Sequence, residues 1–259
     1  SVESTAATVD YALLTVEDIC AIADCLDPDD VSDVLDRQIE CNTAIAAEGL
    51  KSGWGADIGN VLLDTYGSDV RVRARARAAA GSDARMSGCE MPVVINSGSG
   101  NQGLTVSLPV ISLAESWDSS REQLLRALLI SNLVSVHVKR HIGRLSAYCG
   151  ATSASSGVAA AATWLRGGSR EEIASSVVNT LAVVSGMICD GAKASCAAKI
   201  AAALDSAFLA HRLAMQGKRF AGGDGIVAAD TEETIRRIGS LGSRGMAGTD
   251  KEILRLMLL

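Results

Sequence analysis

Between Tyr148 and Leu165 the chain reads YCGATSASSGVAAAATWL, a run made almost wholly of small side chains. Alanine is the strongest helix former, and a helix clothed in methyl groups lets neighbouring backbones come close. The Ala-rich body of the run is expected to be a helix ending at Gly167-Gly168, and its first residues a loop. The rest of the chain obeys the same constraint. Hydrophobic residues fill 48% of 259 positions, yet aromatics supply only 3% and prolines number three, so the apolar mass comes from Ala, Val, Leu and Ile. The expected class is all-α or mainly α: one Ala-rich helical domain over residues 1–259, with glycine-rich loops and a core large enough to fold.

Start and stop signals divide the chain into helices. Thr15, with Asp18 three residues on, opens an amphipathic helix, and the Asp27-Pro28-Asp29-Asp30 turn separates it from a second. Cys20 and Cys41 fit core positions in this pair. A third helix is expected over Trp54 to Tyr66, and a fourth through RVRARAR to Ala80, ended by Gly81. LTVSLPVISLAESW reads as a buried helix that Pro109 kinks or splits. The stretch Arg121 to Lys139 has helical spacing and ends at KRHIGR, cations that suit a helix C-terminus. Ser169 and Glu172 form a capping box for a helix through Val184, and Gly186 suits its end. A long helix from Ser195 to Met215 and a closing pair, TEETIRRIGSLG and TDKEILRLML, complete the pattern.

Charge and cysteine content exclude several roles. A net charge of -6 disfavours nucleic acid as a partner, because phosphate binding draws on clustered Lys and Arg. The one basic cluster, Arg71 to Arg77, spreads its arginines around a helix and is expected to be a solvated face. No run of eighteen apolar residues and no signal peptide is present, so no membrane partner and a cytoplasmic location are expected. Seven cysteines are an odd number without a secretion signal. They read as free buried thiols, with a subset as soft-metal or iron-sulfur ligands.

Three polar, glycine-bearing segments, Asn96 to Gly103, Cys149 to Gly157 and Gly186 to Cys196, fall at the ends of apolar helices. Helix ends offer unpaired N–H groups, and glycine lets a ligand approach them. These segments are expected to wall one site. GSGNQG lacks the Lys-Ser/Thr ending of a phosphate loop, and neither a dinucleotide fingerprint nor a C-x-x-C pair is present.

The segments RMSGCEMPVVINSGSGNQGLTVSLPVI, YCGATSAS, SGMICDGAKASCAAKIAAAL and TIRRIGSLGSRGMAGTDKEIL resemble the L-cysteine desulfidase family, itself related to the α chain of iron-sulfur L-serine dehydratases. The resemblance implies a lyase without pyridoxal phosphate whose [4Fe-4S] cluster is held by three cysteines, the fourth iron being open to substrate. The implied reaction is β-elimination from L-cysteine to pyruvate, ammonia and sulfide. L-serine is the alternative substrate. A non-catalytic amino-acid-binding or assembly domain is the alternative of another class. Matching positions make Cys149 and Cys189 cluster ligands. The family's third ligand lies in a Gly-Cys-Thr-Glu-Pro segment that this sequence lacks; Cys196, seven residues beyond Cys189, is either a substitute ligand or a buried thiol of an Ala-rich helix.

The chain begins SVESTAATVDYA and looks like the larger, C-terminal part of a longer polypeptide. The fragment alone is therefore expected to lack the cluster and activity, and to contact the rest of that polypeptide. In the family reading Asn96, Ser97, Gly98, Ser99, Gly100, Asn101 and Gln102 clamp the substrate's carboxylate and ammonium. The base is unassigned: Lys193 and His141 are the candidates to touch substrate, with His137 one helical turn from His141. A small amino acid is the implied ligand, and self-association stays open.

Overall fold

The computed structural model describes residues 14–143 and 146–259. Among them the chain forms eleven α-helices and no strand. The order is α1 (Val16–Cys25), α2 (Asp29–Gly49), α3 (Ile58–Tyr66), α4 (Val70–Met86), α5 (Gly100–Ser116), α6 (Arg121–Ile142), α7 (Gly150–Leu165), α8 (Arg170–Val184), α9 (Ser195–Ala214), α10 (Thr231–Ser240) and α11 (Ala247–Met257). A single π-helical turn, Leu241–Gly245, joins the last two.

The small-residue run is the centre of the molecule. Every residue of α7 from Ala151 to Thr163 is buried, and the helix packs against α5, α6, α8 and α9. Its closest approach is at Gly157, where a Cβ would stand 2.2 Å from the Ser131 carbonyl oxygen of α6. Hydroxyls inside this packed layer are satisfied along their own helices: Ser155 donates to the Thr152 carbonyl, Ser156 to Ser153 and Thr163 to Ala159. These three hydroxyls thus enter the core without an unmet bond.

Several local signals act as read. Thr15 caps α1 by accepting the Asp18 N–H, and Ser169 and Glu172 form the reciprocal capping box of α8. Other expectations are corrected. The fourth helix does not stop at Gly81 but runs to Met86, because Gly81 packs beneath the Leu104 side chain and tertiary contact overrides the stop signal. Trp54 lies outside α3, which starts after a left-handed Asp57. Gly150 and the residues after it are already helical. Pro109 lies within one continuous α5, whose residues Gln102 to Ala114 are all buried; packing on all sides outweighs the roughly 3 kcal/mol that an internal proline costs.

The arginine cluster is only partly solvated. Arg71 and Arg73 are exposed, whereas Arg75 and Arg77 are mostly covered and pair with Asp205 of α9 and Glu115 of α5. All seven cysteines are free; Cys20 is core and Cys41 is half-buried.

Candidate active site

The glycine-bearing segments meet. Ser97, Gly98, Ser99, Asn101 and Gln102 from the first, Cys149, Gly150 and Ala151 from the second, and Cys189, Gly191, Ala192 and Cys196 from the third line one open cavity of 340 Å³.

Asn96 and Ser99 exchange backbone hydrogen bonds, N–H to carbonyl, at 3.1 and 2.9 Å. The turn takes positive φ at both intervening positions, Ser97 (48°) and Gly98 (82°), a geometry whose twist suits so tight a reversal. Ser99 then caps α5, accepting the Gln102 N–H. Asn96 itself faces away from the cavity. Its amide donates to Asn132 Oδ1 at 3.0 Å and its Oδ1 accepts from Ser97 and Ser135, so it anchors the turn from behind. Gly100 also lies off the cavity, buried where a Cβ would come within 2.3 Å of Arg85 Nε.

Asn101 accepts bonds from Ser82 and Arg85. Gln102 is buried and its Oε1 has no partner among the described residues. An amide oxygen so placed waits for an N–H donor.

The two family cysteines are brought side by side by backbone. Tyr148 and Ile188 form an isolated antiparallel bridge. On either side of it the Cys149 N–H donates to the Met187 carbonyl at 3.0 Å and the Cys189 N–H to the Ala147 carbonyl at 2.6 Å. Cys149 then opens α7. Burial pushes its thiol up to about 11, against the opposing Ala151 N–H. Cys196, in the first turn of α9, has its sulfur between the Lys193 N–H, which it accepts, and the Gly191 carbonyl. Behind it Lys199 pairs with Asp190, whose carboxyl is held below its usual range by that ammonium.

Neither residue singled out for proton transfer lines this cavity. Lys193 is exposed on the neighbouring turn. His141 packs against Gly239 of α10 and edge-on to His137; burial and the nearby Arg140 depress it to about 4. His137 bonds Glu232 of α10. Two cations line the cavity instead: Lys139 from α6, read in the sequence as a helix-end charge, and Arg85 from α4, which the sequence did not single out. Only tertiary packing reveals them, because their helical spacing is that of any surface cation.

Among the described residues no three His, Cys, Asp or Glu side chains converge tightly enough to hold a single metal ion. An iron-sulfur cubane asks for something else: thiolates spaced around a small cavity, each meeting its own iron. Cys149, Cys189 and Cys196 around one opening, with no carboxylate on its walls, are a donor set of that kind.

The chain matches the family described as the serine dehydratase alpha chain over residues 9–255. It is 54% identical to a UPF0597 protein of Lachnoclostridium phytofermentans, over 97% of this chain and 60% of that one. A UPF0597 protein of Desulfitobacterium hafniense is 55% identical over 96% and 58%, and one of Treponema denticola 51% over 100% and 61%. The chain thus spans about three fifths of the length of these relatives. No solved structure matches it. Among the described residues no helix is long and apolar enough to cross a membrane. With the family match covering nearly every residue and half of all positions identical to full-length relatives, this chain belongs to the serine dehydratase alpha chain family.

Proposed function

We propose that this chain carries the larger part of the active site of an iron-sulfur-dependent lyase that eliminates sulfide from L-cysteine, giving pyruvate and ammonia. The observation that carries the reading is the convergence of Cys149, Cys189 and the Ser97–Gln102 turn on one cavity. Cys149 and Cys189 would hold the [4Fe-4S] cluster, and Cys196 is a third thiol on the same wall. Bound there, an iron without a protein ligand supplies Lewis acidity toward the substrate's β-substituent.

The remaining work belongs to the chain. The Ser97 N–H, the Ser99 hydroxyl and the Asn101 amide receive the substrate's carboxylate, and Arg85 adds a cation beside Asn101. The unpaired Gln102 Oε1 accepts from the substrate ammonium. Because the chain covers three fifths of its relatives' length, the remaining two fifths of the family polypeptide are proposed to close the cavity and to supply any further ligand. Seven free thiols suit a reducing, cytoplasmic setting.

The complete polypeptide, reconstituted anaerobically with iron and sulfide, is expected to release sulfide and pyruvate in equal amounts from L-cysteine. Pyruvate from L-serine at higher kcat/KM would move the assignment to serine dehydration. A cluster absorbance band with no turnover on either amino acid would leave an amino-acid-binding domain.

A further inference from the structure

Lys139 is the anomaly of the cavity. It sits on the inner face of α6, 6% exposed, and opens on the space that Cys149 and Cys189 share. A lysine so far from water is normally paired with a carboxylate, since stranding an ammonium in the interior costs several kcal/mol. No carboxylate among the described residues acts on it. The ionisable groups it feels are Cys189 from the loop before α9 and Cys149 at the start of α7, and Arg85 of α4 lines the same cavity. Burial depresses its pKa, although the neighbouring Cys189 and Cys149 thiols act in the opposite direction.

Three other groups in or just behind the cavity wall are unfit to act as the base. The Tyr148 hydroxyl is buried against Ser185, the Lys199 ammonium is tied to Asp190, and Arg85 cannot be deprotonated in a protein.

Building on the elimination reading, we infer that Lys139 Nζ is the base that takes the α-proton of the bound amino acid. The Cα–H bond breaks and its proton goes to the amine, making an ammonium. The freed electron pair becomes the Cα–Cβ π bond, and the Cβ–S bond breaks with its pair leaving on sulfur. The aminoacrylate tautomerises to the imine, and water hydrolyses that to pyruvate and ammonia. Lys139 returns its proton to the departing hydrosulfide or to solvent, so the sum is cysteine and water in, pyruvate, ammonia and hydrogen sulfide out.

The test uses the complete, reconstituted polypeptide with K139A and K139R. Both are expected to lose about 100-fold or more in kcat, with KM within about threefold and the cluster absorbance unchanged. K139A should regain rate with added ethylamine, and K139R should not. Exchange of the substrate's α-hydrogen with deuterium oxide should disappear in both. Independently of turnover, reductive methylation of the chain over a pH series, read by mass spectrometry, should modify Lys139 at lower pH than the exposed Lys218.

A K139A enzyme with wild-type kcat overturns the assignment. So does loss of the cluster, or loss of rate without amine rescue, either of which makes Lys139 a positioning residue. A wild-type enzyme that holds its cluster but eliminates nothing sinks the elimination reading itself. In that event methylation of Lys139 only at the pH of Lys218 removes the base as well.

Discussion

His137 Nε2 lies 2.6 Å from Glu232 Oε2, and the second carboxylate oxygen accepts the Val16 N–H at 2.8 Å. One side chain thus joins α10 to α6 and to the first turn of α1. Burial alone would raise the Glu232 carboxyl, but the His137 and Val16 hydrogen bonds outweigh it and hold the pKa below the ordinary value. A lowered folded pKa means stability that is present above about pH 4.5 and lost as pH falls through the folded value. Glu232→Ala is expected to cost about 2–4 kcal/mol in urea unfolding at pH 7, since it strands two buried partners. Glu232→Gln should cost less and flatten the loss of stability below pH 4.5; an unchanged acid limb in that variant would remove Glu232 as its source.

His211 gives a second, separate acid response. Its ring is buried against Thr163, with Nδ1 3.0 Å from the hydroxyl. Burial, helped by Arg212 and Arg166, depresses it to about 4. The unfolded chain therefore binds the proton first, and stability falls as pH drops from about 6.5 toward 4. The shift corresponds to roughly 3 kcal/mol at the acid end. His141, depressed to about 4 as well, responds in the same window, so His211→Gln should reduce the slope between pH 6.5 and 4.5 without abolishing it, above the window of Glu232; denaturant midpoints at half-unit steps would separate them.

Two glycines distinguish fold from site. At Gly157 a Cβ meets the Ser131 backbone carbonyl, which cannot move without shifting α6. Gly157→Ala is expected to cost about 2–4 kcal/mol, a fall in Tm of roughly 5–15 °C. At Gly150 the added carbon meets the Gln102 side chain at 2.6 Å, which can swing away. Gly150→Ala should leave Tm within about 3 °C while raising KM for the amino acid in the reconstituted polypeptide. The reverse ranking would place Gly150, not Gly157, at the close helix contact.

The thiols can be ranked by iron content. C149S and C189S are expected to abolish the cluster band in the complete polypeptide, and C25S, an exposed position remote from the cavity lining, to leave it intact. Iron per chain in C196S then reads directly whether that sulfur is a ligand. A full band in C149S would end the role given to that position.

The legible parts of the molecule were those written in local chemistry. Thr15, Ser169 and Glu172 mark helix starts because a cap is a contact over three residues, and the Ala-rich run marks a central helix because small side chains have little other use. Gly81 misled because a stop signal is only a propensity, overruled when Leu104 packs over it. The meeting of the three glycine segments was anticipated from their position at helix ends. Asn96 was assigned to the cavity because an amide in a turn looks the same whether it faces a ligand or Asn132. Lys139 and Arg85 were invisible for a related reason: nothing local tells a buried lysine from one in solvent.

The Tyr148–Ile188 bridge has a bearing on how such a site can change over time. The two thiol-bearing loops are tied by peptide N–H and carbonyl groups, which every residue but proline supplies in full. Sulfur can therefore be exchanged for oxygen or hydrogen at Cys149 or Cys189 while the loops keep their pairing. The scaffold and the reactive atoms are separately heritable, so a descendant could lose the chemistry and retain the pocket, and a descendant of that one could recover it by single substitutions.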